Sequence, residues 1–475
     1  MIDEKERTSD AFIDDSLICQ LLADAKVKAR DPGIVKQILA KALGYQGLSA
    51  AEAATLLEVN DSDLLEELFA AASTIKEAIY GKRIVLFAPL YIANYCINNC
   101  TYCGYRQANH QHRRRLTMDE IRREVEVLES MGHKRLAVEA GEDPLNCSID
   151  YVVEALQAIY SVKSGNGAIR RANVNIAATT IDEYKKLKSA GIGTYILFQE
   201  TYNRPMYAKL HASGPKTDYN WHTTAMDRAM QAGIDDVGIG VLFGLYDYKY
   251  EVTAMLLHAA HLEATYGVGP HTISVPRLRP APGITLSTFP YLVDDTAFQK
   301  IIAVIRLAVP YTGIILSTRE DSAFRDILIN YGVSQISAGS CTGVGGYQEA
   351  YHPDTVPASA AQFEPADNRS PEEIIRMLCE HDFIPSYCTA CYRQGRTGDR
   401  FMRLAKSGEI QNVCLPNALL TFQEYLLDYA TDEQTKASGE KMIQNALATI
   451  PQESIRQQTI KRLKEITEGS RDLYF

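Results

Sequence analysis

No apolar run among the 475 residues approaches the ~20 needed to cross a bilayer, which excludes a membrane-spanning helix. Basic residues are the minority: 49 Lys and Arg stand against 59 Asp and Glu, a formal charge of −10. That balance excludes a general binder of nucleic acid or of an anionic membrane surface, both of which need a basic face. Low-complexity tracts are absent, and 46% apolar residues supply a real core, which excludes wholesale disorder. The charged opening Met1-Ile2-Asp3-Glu4-Lys5 is not that of a signal peptide, so a cytoplasmic protein is expected.

A disulfide framework is not expected either, because the cytosol keeps thiols reduced. The ten cysteines are unevenly spaced. Cys96, Cys100 and Cys103 form one tight group; Cys388 and Cys391 form a second, followed by Cys414. Cys19, Cys147, Cys341 and Cys379 stand alone and read as small buried hydrophobes.

What is present is a rhythm. Residues 34–42 and 51–79 carry apolar side chains at helical spacing, with Ser49 and Asp61 as starts. Short β-branched or apolar runs then recur at 83–93, 135–141, 174–178, 194–201, 236–244, 271–278, 313–319 and 335–340. Between them lie amphipathic helices with legible ends: a capping box at Thr117 and Glu120 with a stop at Gly132, a helix 182–190 before Gly191, and a helix 221–232 before Gly233. Eight apolar strands alternating with helices predict an α/β fold, a (β/α)₈ TIM-type barrel, over a doubly wound sheet. The expected division is an N-terminal helical extension 1–82, the barrel 83–345, and a mostly helical C-terminal domain 346–475. In that last part 343–366 reads as irregular, and helices are expected at 371–381, 400–407, 418–429, 435–449 and 451–468.

The run Cys96-Ile-Asn-Asn-Cys100-Thr-Tyr-Cys103 follows the first strand, at the end of a barrel where active sites are built. Three soft thiolates suit an iron–sulfur cluster with one iron left open; zinc is the alternative if His110 or His112 supplies a fourth ligand. On spacing alone, Cys388, Cys391 and Cys414 suit zinc as well as a second open cluster. The Gln111-His112-Arg113-Arg114-Arg115 run precedes a capped helix and is expected to face solvent.

The Cx3CxxC spacing with Tyr102 before the last cysteine resembles the signature of the radical S-adenosylmethionine superfamily. The resemblance implies a 4Fe–4S cluster that binds S-adenosylmethionine and cleaves it reductively. Ala140-Gly141-Glu142 is similar to the family's Gly-Gly-Glu motif, so Gly141 and Glu142 are expected at the methionyl ammonium, Glu200 at the ribose hydroxyls, and Gly238 and Gly240 beside adenine. The longer string Leu90–Cys100, with Leu316-Ser317-Thr318-Arg319-Glu320 and Ser337-Ala338-Gly339-Ser340, resembles the aromatic amino acid lyase branch and, given the second cysteine group, its HydG family. That likeness implies L-tyrosine as substrate, held by Arg319 with Tyr91 and Ser337 or Ser340. It also implies an auxiliary 4Fe–4S cluster on Cys388, Cys391 and Cys414 bearing a fifth iron, with free L-cysteine and His271 as that iron's ligands. The partners implied are a reductant protein such as ferredoxin or flavodoxin, and other hydrogenase maturation proteins. Within the strand reading, however, His271 begins the sixth strand, at the end of the barrel opposite the first cysteine group.

Overall fold

The computed structural model describes residues 9–352 and 359–475; the opening Met1–Lys5 lies outside them. Eight parallel strands close into a barrel: β1 Arg83–Ala93, β2 Arg135–Ala140, β3 Arg171–Asn175, β4 Tyr195–Ile196, β5 Val237–Gly240, β6 Thr272–Ser274, β7 Gly313–Leu316 and β8 Gln335–Ser337. Pairing runs β2 to β8 in order, and β1 closes the ring by bonding both β8 and β2. The expected barrel is what the chain forms.

The odd and even residues of β1 show how the barrel is built. Ile84, Leu86, Ala88, Leu90 and Ile92 are fully buried under the surrounding helices, while Val85, Phe87, Pro89 and Tyr91 turn inward. Both faces are covered, which is why the strand reads as a continuous apolar run rather than an alternation. On β2 the inward residues Arg135, Ala137 and Glu139 span the interior from its N-terminal end to its C-terminal end.

Several boundaries differ from the sequence reading. The fourth strand pairs regularly only at Tyr195–Ile196, although Leu197 N and Gln199 N continue the ladder to Gly238 O and Gly240 O. The helix expected at 221–232 is two, Tyr219–Thr223 and Ala225–Gln231, because Thr224 leaves helical geometry and bonds its hydroxyl back to Asn220 O at 2.8 Å. The segment 343–366 holds a helix at Gly346–Tyr351, and its residues 353–358 lie outside the described residues. The helix expected from 418 begins at Gln411 and carries Pro416 within it, so Cys414 is helical. Cys19, expected to be buried, is exposed. Arg113 and Arg114 turn inward rather than to solvent: Arg113 donates to Asn94 O and Tyr105 O at 2.7 Å each, and Arg114 pairs with Glu120 at 2.9 Å.

A ninth strand, β9 Ile384–Ser386, was not anticipated. It pairs in parallel with Arg83–Val85 at the outer start of β1. The helix Gln411–Asp428 is tied to the barrel by buried Glu424, which takes Lys134 at 2.9 Å and Arg170 at 2.8 Å. These contacts set residues 384–414 against the N-terminal ends of the barrel strands.

Candidate functional site

Three cavities lie along the barrel. The upper one, about 140 Å³, opens at the C-terminal strand ends; an interior one of about 90 Å³ lies within the ring; the lower one, about 70 Å³, sits under the N-terminal ends. Glu139, Asn175, Phe198, Arg319, Gln362 and Phe363 line both the upper and the interior cavity, and Gln335 lines both the interior and the lower.

Cys96, Cys100 and Cys103 all line the upper cavity. Their loop is laced to its neighbours by backbone bonds: Ile97 N to Glu142 O at 2.8 Å, Asn99 N to Ser213 O at 3.0 Å and Thr101 N to Leu210 O at 2.9 Å. Gly141 has no room for a side chain, since a Cβ would stand 2.3 Å from Tyr95 O. Burial pushes the Cys100 thiol up to about 12 and Cys103 up to about 11. Glu142 and Glu200 line the same space. Glu142 accepts from the Asn98 amide, and burial raises its carboxyl. Glu200 takes a left-handed backbone, φ 69°, and pairs with Lys216 at 2.7 Å.

Gly238 and Gly240 are not among the residues that line the upper cavity, and a Cβ at either would meet Ile196, Thr272 or Phe198. Their lack of a Cβ makes room for packing within the barrel wall.

Arg319, at the end of β7, faces the junction of the upper and interior cavities. Its guanidinium lies 3.6 Å from the centre of the Phe363 ring, and burial lowers its affinity for the proton. Tyr91 donates to Gln362 Oε1 at 3.0 Å. Ser337 Oγ accepts from Thr318 N at 3.1 Å, whereas Ser340 Oγ is buried against the interior cavity with no hydrogen-bond partner among the described residues.

Cys388, Cys391, Cys414 and His271 come together in the lower cavity. The strand reading therefore placed His271 at the correct end; the second cysteine group is at that end too. A hydrogen bond from Cys391, with Arg83 and Arg396 nearby, lowers the Cys414 thiol and raises Cys391 in return. His271 Nδ1 stands 3.5 Å from Asp236 Oδ1, and burial keeps its imidazole neutral, the form that ligates metal. Arg83 Nε, Arg135 Nε, Thr389 Oγ1 and Asp236 Oδ2 are buried around this cavity without partners among the described residues. Buried polar atoms of this kind call for a partner such as water, an ion or a ligand.

The donor sets fit iron–sulfur clusters. Each set offers three soft thiolates, which leaves one iron of a 4Fe–4S cluster without a cysteine ligand. His110 and His112 are exposed and line neither cysteine cavity, and His222, which does line the upper one, is engaged by Phe198 O at 2.8 Å. Lys216, Asn98 and Glu139 were missed in the sequence because nothing local marks them; Lys216 was discoverable only as the partner of Glu200.

Residues 90–259 match the radical SAM superfamily and residues 274–384 the biotin and thiamin synthesis associated domain. The 2-iminoacetate synthase of Escherichia coli (strain K12) is 31% identical over 360 residues, covering 76% of this chain and 92% of that protein. A crystal structure of HydG, a maturase of the FeFe-hydrogenase, is 62% identical over 98% of this chain and 100% of its own, with a TM-score of 0.94. HydG from Carboxydothermus hydrogenoformans is 39% identical over 96% and 99%, with a TM-score of 0.82. No helix among the described residues is long and apolar enough to cross a membrane. Likeness of this extent, over both cysteine groups and the barrel between them, means that the chain belongs to the radical SAM superfamily, which binds S-adenosylmethionine and a 4Fe–4S cluster, and within it to the HydG maturases of FeFe-hydrogenase.

Proposed function

We propose that this chain is a cytoplasmic tyrosine lyase that cleaves the Cα–Cβ bond of L-tyrosine to p-cresol and dehydroglycine. In this reading dehydroglycine passes down the barrel and yields carbon monoxide and cyanide, delivered on iron with free L-cysteine to other hydrogenase maturation proteins. The carrying observation is the series of three cavities, with a cysteine triad at each end and Gln335 and Arg319 at the two junctions. Cys96, Cys100 and Cys103 would hold the first cluster, whose chemistry is the one-electron cleavage of S-adenosylmethionine that supplies the radical. Gly141, Glu142 and the Glu200–Lys216 pair line the space left for that cofactor.

Arg319 offers its guanidinium to the tyrosine carboxylate, in a bidentate geometry that fixes orientation as well as charge. Phe363 beneath it limits the rotation of that side chain, while Ser340 Oγ and Tyr91 stand ready to complete the carboxylate shell. The walls below, with Phe87, Pro89, Pro276 and Ile315, suit an aromatic ring. In the lower cavity Cys388, Cys391 and Cys414 would hold the auxiliary cluster and His271 the additional iron. Arg83 and Arg135 supply positive charge for an anionic fragment. A reductant such as ferredoxin or flavodoxin provides electrons.

The test is anaerobic reconstitution with tyrosine and S-adenosylmethionine. p-Cresol and carbon monoxide are expected together, and replacing Cys388 and Cys391 by Ala should abolish the gas while p-cresol formation continues. Carbon monoxide at the normal rate from that double variant would overturn the assignment of the lower site. Its absence from the unaltered enzyme, with p-cresol formed, would leave a lyase that hands on dehydroglycine.

A further inference from the structure

We propose that Glu139 takes the proton from the α-ammonium of the bound amino acid, so that a neutral amine faces the adenosyl radical. The inference rests on tyrosine binding at Arg319 as proposed above, and names the group that prepares its nitrogen. Tyr91, Glu139 and Asn175 are in register on three neighbouring strands, all facing inward. They form one side of the junction between the upper and interior cavities, and Arg319 belongs to the same junction. Glu142 and Glu200 line only the upper cavity, so Glu139 is the one carboxyl group, among the described residues, common to both.

A cation and a carboxyl at one junction, with a chamber below that Phe87, Pro89, Pro276 and Ile315 line together with polar side chains such as Asn173 and Ser274, match the head and side chain of a zwitterionic hydroxylated aromatic amino acid. With the carboxylate on Arg319 and the ring in the chamber, the ammonium falls between Arg319 and Glu139. An ammonium nitrogen has no lone pair to stabilise the radical left by hydrogen abstraction, whereas an amine does. In the step an N–H bond of the ammonium breaks, its electron pair stays on nitrogen, and the proton forms an O–H bond on the Glu139 carboxylate. No oxidant or reductant is needed. The groups facing Glu139 are Asn175 on β3, which donates to it, Tyr91 on β1, Tyr105 after β1, and Arg319. Burial lifts the Glu139 carboxyl to about 8, far nearer to an ammonium than an ordinary carboxylate stands, which makes the proton transfer less uphill.

The test compares the reconstituted enzyme with Glu139→Gln. At pH 7 the variant should form p-cresol about 10²-fold more slowly, and should recover as pH rises toward 9, where free tyrosine carries more neutral amine. Calorimetry should show weaker tyrosine binding, while 3-(4-hydroxyphenyl)propanoate, which lacks the amine, binds both proteins alike. An unchanged p-cresol rate, or equal loss of affinity for both ligands without recovery at high pH, would overturn the proposal. If Glu139→Gln fails to fold, Glu139→Asp gives the same readings, with a smaller loss expected and unchanged tyrosine binding and rate as the overturning result. Failure of the unaltered enzyme to bind or cleave tyrosine would instead sink the reading above.

Discussion

The two cysteine sites occupy opposite ends of one barrel and are built in opposite ways. The upper thiols come from eight consecutive residues, pinned by backbone bonds to the loops beside them. The lower thiols come from the turn and short helix after β9 and from the helix Gln411–Asp428, and their surroundings are the starts of six strands: Arg83, Arg135, Asp236 beside β5, His271 beside β6, Gly313 and Gln335. One site is a local motif that the barrel merely carries. The other exists only because the C-terminal segment docks beneath the ring. A C-terminal strand end is where barrels keep their active sites, and here a second group of cysteines gathers at the N-terminal face as well.

That contrast can be broken most directly at the cysteines. Cys103→Ala should reduce both p-cresol and carbon monoxide to background, whereas Cys414→Ala should remove the gas alone; product analysis by chromatography and gas-phase infrared spectroscopy decides it. A smaller effect is expected at the junction between the halves. Arg319→Lys keeps the charge but loses the planar fork, and should raise KM for tyrosine about 10–100-fold while leaving iron content unchanged. At the lower site, Asp236→Asn removes the carboxylate beside His271 Nδ1. It should weaken binding of the extra iron about 10–100-fold, read by metal titration, with S-adenosylmethionine cleavage intact.

The smallest effect concerns the scaffold that supports the lower site. Lys76 is buried over the Phe383 ring at 4.1 Å, and burial lowers its amine to about 7. Between that value and the ordinary lysine range the unfolded chain binds the extra proton, so stability rises with pH from about 7 to about 10, by at most about 1.4 kcal/mol per pH unit. In Lys76→Met this slope should flatten, which denaturant melts across the range will show.

Much of this was legible beforehand. The apolar strands declared themselves because both faces of a barrel strand are buried, and the first cysteine group because a loop ligating a cluster must keep its spacing. Strings around strand ends single out Arg319 and Glu200, and both line the upper cavity. Glu139 was not, since one acid within an apolar strand carries no local mark; its position becomes meaningful only beside Tyr91 and Asn175 in register. Gly238 and Gly240 are expected beside adenine from their motif, and the structure adds that a Cβ there would meet Phe198, Ile196 and Thr272. Missing volume is visible in a sequence, but what fills it is not.

From the amino-acid order alone came the period of the strands, the caps of the helices and the ligand chemistry of the first thiol group, because these depend on neighbours a few residues apart. Tertiary structure decided which end of the barrel each group serves and what faces it. Ile384–Ser386 is too short to announce itself as a strand, and its pairing with Arg83–Val85 joins segments some 300 residues apart. Long-range hydrogen bonding and burial of that kind place Cys388, Cys391 and Cys414 under His271, and no local pattern encodes it.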